Sequence, residues 1–101
     1  MDKKELKEMF RDFLFNLEKF LEMSALYMAE RVGVAVLYLQ EPQEMGDSGF
    51  QAKGLIQIGR HASPVEIVYA IDLDDIEIRS KFFKYHLTAQ QMKEFLDELR
   101  R

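Results

Sequence analysis

Residues 3–31 read KKELKEMFRDFLFNLEKFLEMSALYMAER, and residues 32–40 read VGVAVLYLQ. The fold is decided by the change of period between them. In the first stretch Leu6, Met9, Phe10, Phe13, Leu14, Leu17, Phe20, Leu21 and Met28 recur every three or four residues, with Tyr27 beside them and Val32 just beyond. That spacing places them on one broad face of a helix. In the second stretch Gly33 interrupts the pattern, and β-branched and aromatic residues follow one another, as in a strand. The spacing predicts one helix over Lys3–Arg31, with Asp2 as N-cap and Glu5 three residues on. At 1.5 Å per residue such a helix is about 40 Å long, roughly twice an ordinary strand. Part of it is therefore expected to overhang its sheet.

The strand over 32–40 is apolar on both faces. Val32, Val34, Val36 and Tyr38 lie on one side, Ala35, Leu37 and Leu39 on the other. Such a strand is expected at the centre of a sheet, covered twice. Residues 41–49 have the composition of a loop. A second strand, about 50–60, alternates Phe50, Ala52, Ile56 and Ile58 against Gln51, Lys53 and Gln57. Gly54 and Gly59 within it point to a bulge or a close backbone approach. His61-Ala62-Ser63-Pro64 is expected as a turn, followed by a third strand at 65–72, a turn at Leu73-Asp74-Asp75 and a fourth strand at 76–86. Thr88, with Gln91 three residues later, opens a last helix whose buried stripe is Met92, Phe95, Leu96 and Leu99. The expected architecture is a single α+β domain over residues 1–101. A long N-terminal helix packs on a four-stranded antiparallel meander, and a short C-terminal helix completes the order α-β-β-β-β-α.

Composition narrows the function. Apolar residues make up 48% and charged residues 32%, an ordinary globular balance. The net charge is −4, and neither sign dominates any segment. Nonspecific duplex binding by counterion release has little to draw on, and the acidity is too mild for a DNA mimic. There is no cysteine, which excludes disulfides, thiolate catalysis and zinc–thiolate sites. Charges interrupt every early turn, so no signal peptide is expected, and eight apolar residues at 32–39 are too few to span a bilayer. The expected setting is cytoplasmic, with no membrane partner.

Several groups of residues invite a chemical reading. Asp72, Asp74, Asp75 and Glu77 form the densest carboxylate cluster. They lack the spacing of a calcium loop, and Asp is a favoured turn residue, so they are read as a turn rather than a metal site. His61 and His86 are the only imidazoles, and no spacing gives either a nucleophile and a carboxylate partner, so both are read as surface residues. Gly46-Asp47-Ser48-Gly49 resembles the nucleophile segment of trypsin-like proteases over four residues, but a chain of this length cannot build the two barrels of such an enzyme. A flexible hairpin loop explains the segment more simply. No phosphate-binding glycine motif occurs. No catalytic residue, metal site or cofactor is expected.

Two surfaces remain. Phe15 and Leu26 lie on the polar side of the first helix, eleven residues apart, with Met23 beside them. They are read as a protein interface. The strand at 32–40 supports that reading, since its second apolar face also needs a cover. Arg79, Lys81, Phe83 and Tyr85 alternate along the fourth strand, and basic groups interleaved with aromatics on a sheet can hold single-stranded nucleic acid. The sequence is therefore expected to encode a non-catalytic protein-binding module of the adaptor, chaperone or inhibitor type. It is expected to self-associate, as a homodimer, through the first helix and the sheet. A single-stranded nucleic-acid binder is the alternative.

Overall fold

The computed structural model describes residues 1–23 and 33–101. Among these residues the chain forms three helices and six strands: α1 Lys3–Phe15, α2 Leu17–Met23, β1 Val34–Leu39, β2 Gln43–Glu44, β3 Gly49–Ile58, β4 His61–Ala70, β5 Asp75–Ser80, β6 Lys84–Leu87 and α3 Ala89–Leu99. The α+β class and the antiparallel sheet agree with the sequence. The strand count is six rather than four, because β2 forms inside the expected loop and the expected fourth strand is two strands.

The first helix stops at Asn16 instead of running on through residue 23. The Asn16 side-chain amide donates to the carbonyl of Asp12 at 2.9 Å, and its backbone leaves helical geometry at φ −109° and ψ 16°. A short amide side chain that bonds local backbone offers the chain an alternative to the helical ladder. The expected continuation over 24–31 lies outside the described residues. At the start of α1, Asp2 accepts the Glu5 N–H at 2.8 Å. At α3 both halves of the capping box form between Thr88 and Gln91.

The sheet order is β1-β3-β4-β5-β6, antiparallel throughout, and β2 pairs with the other half of the β3 edge that β1 occupies. All three helices lie on one face. Phe10, Phe13, Leu17, Phe20 and Leu21 from α1 and α2 meet Met92, Phe95 and Leu96 from α3 over Phe50, Ile56, Ile67, Tyr69, Ile76 and Ile78 of the sheet. Aromatic rings lock the layers together. Phe20 meets Phe13, Phe95 and Tyr85 edge-on at 5.0, 5.2 and 5.4 Å, and Phe10 lies 5.8 Å from Tyr69. Full burial of each such ring contributes about 1.5–3 kcal/mol.

Three further expectations about the strands are corrected. The chain from His61 to Pro64 is strand, because β3 and β4 are joined by the tight turn at Gly59-Arg60, where Gly59 adopts φ +61°. Ser63 is buried there, and its hydroxyl accepts the Lys81 N–H at 3.0 Å while donating to the Pro64 carbonyl. The chain also reverses between Ser80 and Lys84, where the Ser80 hydroxyl accepts the N–H groups of Phe82 and Phe83. The third correction concerns β1, which among the described residues is an edge strand and not a central one. Its register with β3 shifts between Val36 and Tyr38, placing a bulge at Leu37. Gly54 permits this approach, since a Cβ there would lie 2.2 Å from the Tyr38 carbonyl oxygen.

Candidate functional site

The β1 edge and the break between α1 and α2 together form a groove of about 560 Å³. One wall is Arg11, Leu14, Phe15, Glu18, Lys19 and Glu22 from the helices; the other is the chain from Val36 to Pro42. The break at Asn16 ends α1 at Phe15, whose ring is 77% exposed. On the strand wall of the groove, Leu37 and Tyr38 at the bulge are 51% and 61% exposed. Leu55, the cross-strand partner of Tyr38, continues the apolar surface onto the sheet. Two polar contacts cross the groove. Arg11 pairs with Glu41 at 3.1 Å, and Glu18 Oε2 accepts the backbone N–H of Val36 at 2.8 Å.

Of the three interface residues expected from sequence, Phe15 lies in this groove. Met23 closes α2 and is 50% exposed, outside the groove's lining. Leu26 lies outside the described residues. Leu37 and Tyr38 also line the groove and are not singled out from the sequence, although the second apolar face of their strand, with Leu37 on it, is expected to need a cover. The signal for them was present, since β1 carries apolar residues at every position. That pattern suggested double coverage; on an edge strand it leaves side chains in solvent.

The basic–aromatic set does not share a face. Arg79 projects from β5 on the side away from the helices, where it binds Glu66 at 2.8 Å and Glu77 at 3.6 Å. Lys81 sits in the turn after β5. Phe83 packs against the core, and Tyr85, on β6, lies under α2 against Phe20. The alternation fails because the chain reverses at residues 81–83.

That reversal creates a cluster the sequence did not reveal. Glu77 and His86 are cross-strand partners on the helix-free face. His86 Nδ1 lies 2.9 Å from Asp75 Oδ1, and Nε2 lies 3.5 Å from Glu77 Oε2. Among the described residues, Asp75, Glu77 and His86 are the group whose ligand atoms come close enough to consider a metal ion. Arg79 and Lys84 also reach Glu77, at 3.6 and 3.8 Å, so a divalent cation would compete with two resident cations for that carboxylate. The arrangement holds a half-solvated ladder of charges together. Such exposed pairs contribute about 0–1 kcal/mol each.

Asp74 and the Ser48 hydroxyl serve the backbone. Asp74 accepts the Ala89 N–H at 3.0 Å and so adds a second cap to α3. Ser48 donates to the Met45 carbonyl at 2.7 Å within the β2–β3 hairpin. Lys3 reaches the Gly46 carbonyl of the same hairpin at 2.8 Å.

No family model, curated protein or solved structure matches this chain. No helix among the described residues is long and apolar enough to cross a membrane.

Proposed function

We propose that this protein is a non-catalytic protein-binding module that self-associates through the groove between α1–α2 and β1. The observation that carries this reading is that Phe15, Leu37 and Tyr38, three large exposed residues from two separate elements, all line one groove at the edge of the sheet. Scattered surface apolars are ordinary; contiguous ones beside a strand edge mark binding surfaces. The nucleic-acid alternative gains no support from the geometry, since Phe83 and Tyr85 stack within the fold rather than beside Arg79. Sedimentation velocity of the wild type and of the Phe15→Asp/Tyr38→Asp double variant tests the proposal. The wild type is expected to associate reversibly with concentration and the variant to remain a monomer. A wild type that stays monomeric throughout, or a variant that associates equally well, would overturn it.

A further inference from the structure

We infer that two copies of the chain join edge to edge through β1, and that Glu18 occupies the seam's hydrogen-bonding position until they do; this rests on the self-association reading above and specifies its mode. An edge strand presents backbone donors and acceptors that another strand can pair with. At β1 the Val36 N–H points away from β3, and its partner is the Glu18 carboxylate at 2.8 Å. A carboxylate oxygen there stands where the carbonyl of a neighbouring strand would accept the same proton. Swinging one exposed side chain aside opens the position without disturbing the β1–β3 ladder.

The chemistry of the edge favours a second copy as the occupant. From Val34 to Leu39 the strand carries no charge, in a chain whose net charge is −4. Pairing β1 with itself therefore places no like charges opposite each other in the ladder. A two-fold interface sets a patch against its own copy, so the patch needs both signs of charge. The groove has them, with Arg11 and Lys19 beside Glu18, Glu22 and Glu41. The area is also adequate. Phe15, Leu37 and Tyr38 expose roughly 350 Å² between them, about half of the ~800 Å² per partner in a standard interface, before the strand backbone is counted.

Val36→Pro separates this mode from association through the helices alone. The substitution removes the outward N–H, and since that N–H does not bond β3, the internal ladder keeps its hydrogen bonds. Dimerisation followed by sedimentation is expected to weaken at least tenfold in Val36→Pro and to strengthen a few-fold in Glu18→Ala, where the competing acceptor is gone. A folded Val36→Pro that dimerises like the wild type, while Phe15→Asp/Tyr38→Asp does not, would overturn the strand seam and leave the groove as the interface. If Val36→Pro fails to fold, amide exchange of Val36 in the wild type decides: protection that rises with protein concentration supports the seam, and protection independent of it overturns the seam. A wild type that never dimerises removes both readings together.

Discussion

At one edge of the sheet β6 runs for four residues, and two of them, Lys84 and His86, carry basic groups. At the other edge β1 runs for six residues without a Lys, Arg, His, Asp or Glu. Brevity and charge are the usual protections of a strand edge. At β6 both are present, and the ladder of Asp75, Glu77, Arg79, Lys84 and His86 is solvated and internally paired. At β1 the protections are of a different kind: a bulge at Leu37 that interrupts the register, and a single carboxylate reaching over from α2. Charge on the strand itself is permanent, whereas a side chain borrowed from a helix can move away. On the proposed seam, one sheet has a closed edge and a conditional one.

Both edges depend on α2, and this makes Phe20→Ala the most damaging substitution. Phe20 touches Tyr85 of β6, while two residues earlier Glu18 touches β1. Truncating a fully packed ring costs about 3–5 kcal/mol, to be measured by urea unfolding, whereas Phe15→Ala should stay within about 0.5 kcal/mol. Comparable losses in the two variants would contradict the assignment of Phe20 to structure and Phe15 to binding. Gly54→Ala is expected to act on one edge only. Its Cβ would press on the Tyr38 carbonyl and the Leu39 Cα, costing about 1–3 kcal/mol as an overpacked contact. Amide exchange should accelerate through β1 and stay unchanged in β5 and β6.

The smallest effect isolates the middle of the sheet from both edges. Burial raises the Tyr69 phenol above its ordinary value of 10.0, with Asp74 adding to the shift. The folded state therefore keeps a proton that the unfolded chain gives up. Its contribution is intact below about pH 10 and is lost as pH rises through the folded value. Urea midpoints should fall on the alkaline side, and Tyr69→Phe should flatten that fall. An identical alkaline decline in Tyr69→Phe would assign the loss to other groups.

The helical faces and the β3 alternation were legible in the sequence because each burial pattern is local. Phe10, Phe13, Leu17, Phe20 and Leu21 are all buried, as their spacing requires. The capping box at Thr88 and Gln91 was legible for the same reason. Asn16 was not, because its helix-stopping bond to Asp12 runs through a side chain whose neighbours keep the apolar period intact. The reversal after Ser80 was hidden too. It contains no Gly, Pro or Asn, and hydroxyls of Ser80 and the distant Ser63 stabilise it instead. Of the candidate site, Phe15 was visible as an apolar residue on a polar face. Leu37 and Tyr38 were visible only as strand residues, since nothing local distinguishes an edge from a centre.

Hydrogen exchange across a concentration series tests the central claim most directly. Amides of β1 and of the Phe15–Glu22 segment should gain protection as concentration rises, while those of β6 should not change. Protection that is independent of concentration at β1, or that grows at β6 instead, would contradict the assignment of binding to the uncharged edge.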